Sequence, residues 1–366
     1  MISESSALSG TPQPQTRSAL DDLQAAFRKL SFSGRTFRER TLREQFWVGS
    51  YEFLLSRGYQ LRPRYHPGWV PGKHYEHSFI SYNTNALDAL CIKDNQKVVL
   101  KRVDEKELNI FRYLDALRSD ARNHTIPLLD VIPYTGTEWT FVVMPYCRLF
   151  DSPPFHCRGE FVDAMKQYIN GLQFMHEHNV VHFDIAPQNM VMEESRLIPK
   201  GSHWRNPESH SGSTGHFFSW KNRCSLHPAV RYYYIDFGLS KHFPGGKESA
   251  RLTSTLRTFP MIPELSLTVP YNPFYVDIFQ LGLAMSRIID DYPALEDFRT
   301  VAASLTVDDP LARATLEDTL KELNCMCDQM SPSLLRKRIW EKGITRWRKV
   351  TRIVFGGEWV SYSTTI

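Results

Sequence analysis

The stretch Val181–Asn189, reading VHFDIAPQN, constrains this chain more than any other. Asp184 is followed five residues later by Asn189, and Asp236 stands 47 residues beyond that, in Ile235–Asp236–Phe237–Gly238. Asn189 and Asp236 offer hard oxygen donors, the kind that hold a small divalent cation. Asp184 adds a carboxylate able to accept or orient a hydroxyl proton. Immediately upstream, Phe161, Met165, Tyr168, Ile169, Leu172 and Met175 form one apolar helical stripe. The stretch therefore begins where a core-facing helix ends.

The rest of the composition allows such a site. With 366 residues, 42% hydrophobic and 23% charged, the chain can bury a sizeable core as one large domain or two small ones. A net charge of +4 is too small to point to nucleic acid, and none is expected as a partner. The six cysteines are scattered and no secretory signal or lipidation motif is visible, which reads as reduced thiols in an intracellular protein, cytoplasmic or nuclear. Cys325 and Cys327 read as two side chains of a late helix. The longest apolar run, Ile278–Ile289, is broken by Gln280, Ser286 and Arg287 and falls short of membrane-spanning length.

Along the chain, residues 1–16 are rich in Ser, Thr, Pro, Gly and Gln and are expected to be disordered. Helices are expected over Ser18–Leu30 and about Thr36–Leu55, the latter closed by Gly58, making 17–58 a helical extension. Ala86–Ile92, Lys97–Val103, Ile126–Pro133 and Trp139–Met144 read as strands, with a helix at about Glu105–Leu117. Residues 192–231 are Gly/Ser/Asn/Pro/His-rich and are expected as an inserted surface excursion. That insertion carries His203, His210, His216, His227 and Cys224, in a spacing that matches no standard zinc pattern. The tail from 337 is basic and aromatic and reads as an amphipathic helix.

Further motifs stand in order around the first one. Val98–Val99–Leu100–Lys101 lies upstream, then Glu107 in ELNIFRYL, then Thr140–Cys147 reading TFVVMPYC. Downstream come Pro263–Glu264, Asp277–Gly282 and Asp308–Thr315, which contains Arg313. With these motifs the sequence resembles the eukaryotic protein kinase family, most closely its divergent fungal protein-kinase-domain members, over about residues 61–325.

The resemblance implies an α+β, bilobal protein-kinase-like fold, with a small β-rich N-lobe at 59–145 and a larger helical C-lobe at 146–336. It implies ATP and Mg2+ as cofactors and phosphoryl transfer to a hydroxyl of a protein substrate, Ser/Thr ahead of Tyr. In it, Asp184 is the base, Asn189 and Asp236 hold metal, Lys101 grips phosphate and Glu107 positions Lys101. Val99, Met144, Pro145, Cys147 and Val191 would meet the ATP. His182, Phe237, Gly238 and Asp277 would shape the loops, and Glu264 would pair with Arg313, since a lone buried charge is costly.

Four departures keep a second reading open, a pseudokinase that binds nucleotide or protein partners. No GxGxxG precedes Lys101, where only Gly68 and Gly72 occur. Phe183 replaces the family's Arg before Asp184. Ala186 stands where Ser/Thr kinases place Lys, and Gln188 where Tyr kinases place Arg. Lys101 and Glu107 are only six residues apart, and Asp104 with Glu107 also fits a helix capping box.

Overall fold

Apolar runs buried on both faces build the principal sheet. In the computed structural model, which describes residues 40–70, 85–212, 216–256, 258–259 and 261–359, five strands pair: β1 (Tyr59–Leu61), β2 (Ala86–Cys91), β3 (Gln96–Val103), β4 (Asp130–Pro133) and β5 (Thr140–Pro145). Their order is β1-β2-β3-β5-β4, and every neighbouring pair is antiparallel. The expected N-terminal disorder, the first helix and Gly72 lie outside the described residues.

Period-two alternation gives the sheet two apolar faces. Val98 and Leu100 of β3, with Phe141 and Val143 of β5, pack against Trp47, Tyr51 and Leu54. Val99 and Val103, with Val142 and Met144, pack on the other side with Leu108, Phe111 and Leu114 of the helix Glu105–Ala116. Asp94 and Asn95 turn β2 into β3: Asp94 accepts from the Gln96 amide at 3.0 Å, and Asn95 takes the left-handed backbone (φ 57°) that Asn tolerates.

Two expectations change in detail. The helix expected to reach Leu55 is two helices, Leu42–Gly49 and Tyr51–Ser56, the first opened by a Thr41–Glu44 capping box. Gly49 weakens the helix, and the Ser50 hydroxyl bonds back to the Phe46 carbonyl at 2.9 Å, which breaks it there. The strand expected over Ile126–Pro133 is only β4, because its first half is drawn elsewhere: the Ile126 amide donates to the Tyr234 carbonyl at 3.0 Å.

Beyond β5 the chain is mainly helical. The short strands are β6 (Cys147–Leu149), β7 (Val180–Val181), β8 (Met190–Glu193), β9 (Phe217–Ser219), β10 (Tyr232–Tyr234), β11 (Lys241–His242), β12 (Leu252–Ser254), β13 (Ser266–Tyr271) and β14 (Gly357–Trp359). They pair as β10-β8-β6, β11-β7, β12-β13 and β14-β9. The long helices Arg158–Glu177, Pro273–Asp291 and Leu316–Gln329 carry the larger core, and the architecture is α+β. Asn272, Thr315 and Thr345 cap helix starts with side-chain oxygens, as short polar residues do. Cys325 and Cys327 lie on the helix Leu316–Gln329. Among the described residues no helix is long and apolar enough to cross a membrane.

The segment 192–231 is built into the body. Leu197, Ile198 and Phe218 are buried in the main apolar cluster, and Arg223 is buried with them. A residue composition poor in periodicity hides this, because the segment is anchored by a few long-range side chains. The tail forms the helix Arg346–Phe355, and β14 after it pairs with β9 of the insertion.

Candidate active site

Lys101 lies on β3 and points from the face that carries Val99 and Val103, because the three share one side of the strand. Its ammonium donates to Glu107 Oε1 and, at 2.8 Å, to Asp236 Oδ1. Glu107 occupies the first turn of the helix Glu105–Ala116, where its amide donates to Asp104 Oδ1 at 2.9 Å. Half of the capping box therefore forms, while the Glu107 carboxylate turns to Lys101. Burial pushes the Lys101 pKa down, but Asp236 and Glu107 outweigh it and hold the ammonium charged. At Glu107 burial is the larger effect and raises the carboxyl, with Lys101 pulling the other way.

Asp236 sits in the left-handed region (φ 70°), which Asp tolerates better than most residues. Burial raises its pKa, yet the Lys101 ammonium, with His182 and the Gly238 amide, brings it below the usual carboxylate range. The next residue fixes this turn: the Phe237 ring is buried and meets Phe111 edge-on, centroids 4.9 Å apart. The helix that carries Glu107 thus also clamps the turn that carries Asp236.

Asp184 and Asn189 form a second pair. The Asn189 side-chain amide donates to Asp184 Oδ2 at 2.8 Å and to the Asp184 carbonyl at 2.9 Å. Asp184 Oδ1 is buried and has no hydrogen-bond partner among the described residues. Burial first, and the Asp236 charge as a smaller contribution, raise the Asp184 pKa. The loop joins the Asp236 turn through its backbone: the Ile235 amide donates to the Asn189 carbonyl at 3.0 Å, and His182 Nε2 bonds the Ile235 carbonyl at 3.1 Å. Burial lowers the His182 pKa, with the neighbouring carboxylates Asp277, Asp184 and Asp236 pulling the other way.

Asp277 holds the loop from below. Its carboxylate accepts the backbone N–H of His182 at 2.8 Å and of Phe183 at 2.7 Å, and bonds His176 Nε2 at 3.0 Å. Two supports were missed in the sequence. Gln280 accepts the Ile185 amide at 2.8 Å, and His176 completes the Asp277 shell. Gln280 had a signal: it stands three residues after Asp277, on the same face of a helix that is otherwise apolar there. Phe183 adopts φ 65° and its ring is buried with Leu256, Phe259 and Phe274, where the resemblance would place a cation.

Val99, Met144 and Val191 share one apolar cluster. Pro145 ends β5 and Cys147 begins β6, so the chain leaves the five-stranded sheet and joins β8 within three residues. The insertion braces this crossing. Lys97 donates to the Ser202 carbonyl and lies over the Tyr146 ring, 4.2 Å from its centroid, and Tyr146 packs on Trp204 at 5.8 Å.

Further along, Arg313 and Glu264 meet bidentately at 2.6 and 2.8 Å. The Arg313 side chain is fully buried, donates also to the carbonyls of Tyr275 (2.9 Å) and Val307 (2.8 Å), and stacks over Phe279. The two residues that sequence reasoning paired from 49 positions apart are in contact.

No family model matches the chain. It is similar to a probable casein kinase II subunit alpha homolog of Encephalitozoon cuniculi, 23% identical over 201 residues, 54% of this chain and 52% of that protein. It is similar to serine/threonine-protein kinase stk11 of Xenopus laevis, 30% identical over 119 residues, 29% of this chain and 27% of that protein. Similarity to serine/threonine-protein kinase atg1 of Penicillium rubens is 23% over 240 residues, 55% of this chain and 23% of that protein. The chain thus spans about half the length of the first of these relatives and about a quarter of the other two. Distant as each relative is, all are named as protein kinases, and the similarity supports a divergent eukaryotic protein kinase family for this chain.

Proposed function

We propose that the protein is an ATP- and magnesium-dependent kinase that transfers the γ-phosphoryl group to a protein hydroxyl, Ser or Thr ahead of Tyr. The observation that carries this reading is the Lys101 ammonium, buried between the carboxylates of Glu107 and Asp236 and close to the linked Asp184–Asn189 pair. A cation on a rigid strand suits the α/β-phosphates, and a partly buried carboxylate with one unsatisfied oxygen suits a substrate hydroxyl. The names of the relatives favour Ser/Thr over Tyr.

Asn189 and Asp236 are the residues that would hold magnesium. Their fit rests on the donor set: Asn189 spends its amide nitrogen on Asp184 and keeps its oxygen, and Asp236 is ionised and its side chain half exposed. Bound there, magnesium supplies charge neutralisation for the nucleotide phosphates. In this reading 59–145 is the N-lobe and 146–336 the C-lobe. Adenine meets the main chain of Pro145 and Cys147, between Val99, Met144 and Val191. Asp277 and Gln280 keep the Asp184 loop in shape, and the protein works inside the cell.

The second reading, a pseudokinase, is favoured by one observation: the chain between Leu61 and Ala86 contains no GxGxxG to cradle phosphates. Nucleotide binding with and without magnesium, followed by autophosphorylation of wild type and Asp184→Asn, separates the two. The enzyme reading expects turnover to fall by orders of magnitude in Asp184→Asn with ATP affinity nearly intact. Equal phosphoryl transfer by both proteins rejects Asp184 as base, and magnesium-independent binding without transfer favours the pseudokinase.

A further inference from the structure

We propose that Cys157 and Cys224 are a redox couple, forming a reversible disulfide that ties the insertion to the start of the helix Arg158–Glu177. The two residues are 67 positions apart in the sequence, yet their sulfurs and the Glu160 carboxylate all lie within 4.8 Å of one another. Both are free thiols, Cys157 buried and Cys224 exposed.

Their backbones are already held in place. The Cys224 amide donates to Glu160 Oε1 at 2.9 Å. Arg223, next to it, donates to Glu160 Oε2 at 3.3 Å and to the carbonyls of Phe150 (2.8 Å) and Pro153 (2.5 Å). Cys157 is the residue that caps the helix, and its strand-like bridge to Arg338 fixes it from the other side. Folding has therefore met the entropy of closing this long loop before any bond forms. The sulfurs also share their proton unequally. The hydrogen bond from Cys224 lowers the Cys157 thiol against its burial, and the amides of Gly159 and Glu160 help, while the Cys224 thiol is raised.

A peroxide is the oxidant the couple would meet. Cys157, whose thiolate the hydrogen bond from Cys224 favours, attacks it: an S–O bond forms, the O–O bond breaks, and one oxygen leaves as water. Cys224 then attacks the Cys157 sulfenic sulfur; the S–S bond forms, the S–O bond breaks, and hydroxide leaves and takes up the Cys224 proton as water. Two thiols lose two hydrogens and two electrons, and the peroxide becomes two waters. Metal binding by the same three residues is the competing use. It is disfavoured because both Glu160 oxygens are engaged, Oε2 by the His156 amide (2.7 Å) and the Arg223 guanidinium, which would stand beside the cation.

The couple does not depend on the phosphoryl-transfer reading. The test uses the full chain, reduced, desalted and titrated with hydrogen peroxide, then alkylated and digested without reductant. The expected product is a cross-linked pair of peptides containing Cys157 and Cys224, reversed by dithiothreitol, with Cys91, Cys147, Cys325 and Cys327 still alkylated. Cys224→Ser, a change at an exposed position, should abolish the cross-link. Sulfinic acid at Cys157 or Cys224 without any cross-link in wild type would overturn the proposal. So would stoichiometric zinc retained by the desalted protein and blocking the reaction.

Discussion

Asp277→Asn separates the anchoring of the Asp184 loop from its chemistry. Asp277 is fully buried, and its two oxygens take the amides of His182 and Phe183 at 2.8 and 2.7 Å. Asparagine has the same shape but one oxygen. However its amide is turned, the NH2 group faces one of those two N–H donors. The variant loses at least one charge-assisted bond, about 1.5–3 kcal/mol, and leaves a buried N–H unpaired, about 1–3 kcal/mol. The sum is roughly 2.5–6 kcal/mol, less what Phe183 recovers by relaxing from its φ of 65°. The loss should appear locally. Hydrogen exchange at the His182 and Phe183 amides should accelerate by about a hundredfold or more, since 1.4 kcal/mol is tenfold. The denaturant midpoint should also fall. Unchanged exchange at both amides together with an unchanged midpoint would refute the anchoring role.

Arg313→Ala leaves Glu264 buried without its partner and should cost about 3–5 kcal/mol, read as a clear drop in the denaturation midpoint. Arg299→Ala, at an exposed pair, is the control and should show no resolvable shift. Because burial raises the Asp184 pKa, any activity should be lost as pH falls through a midpoint above the ordinary value of about 3.9, seen in initial rates. The same sign makes the ionised Asp184 a cost to folding above its folded pKa, relieved as pH falls, so Asp184→Asn should be no less stable at neutral pH. Phe183 offers no cation to an activation-segment phosphate, so activity should survive phosphatase treatment verified by intact mass. Loss of most activity, restored by rephosphorylation within 239–262, would show that Lys241, Lys247 or Arg251 has taken that role.

The site was legible in the sequence to the extent that order and spacing carry it. Lys101, Glu107, Asp184, Asn189 and Asp236 could be named because a strand end, a first helical turn and two tight loops are local choices, made within a few residues. Glu264 and Arg313 could be paired across 49 positions because the resemblance pairs their two motifs, and the cost of a lone buried charge made finding both more than coincidence. The helix caps and the β2–β3 turn were equally local.

Other features have no local signal. Whether the Glu107 carboxylate closes its own capping box or turns to Lys101 was open in the sequence, since both need the same residue. The fold decides it by bringing β3 and the Asp236 turn to the same side of that helix. The insertion looked like a surface excursion because its few apolar residues have no period. It is held by Leu197, Ile198, Phe218 and Arg223, whose partners come from elsewhere in the chain. Cys157 and Cys224 looked like two scattered thiols for the same reason. Composition and spacing report what a segment can do alone; which segments meet depends on the path of the whole chain, and only the tertiary structure sets that path.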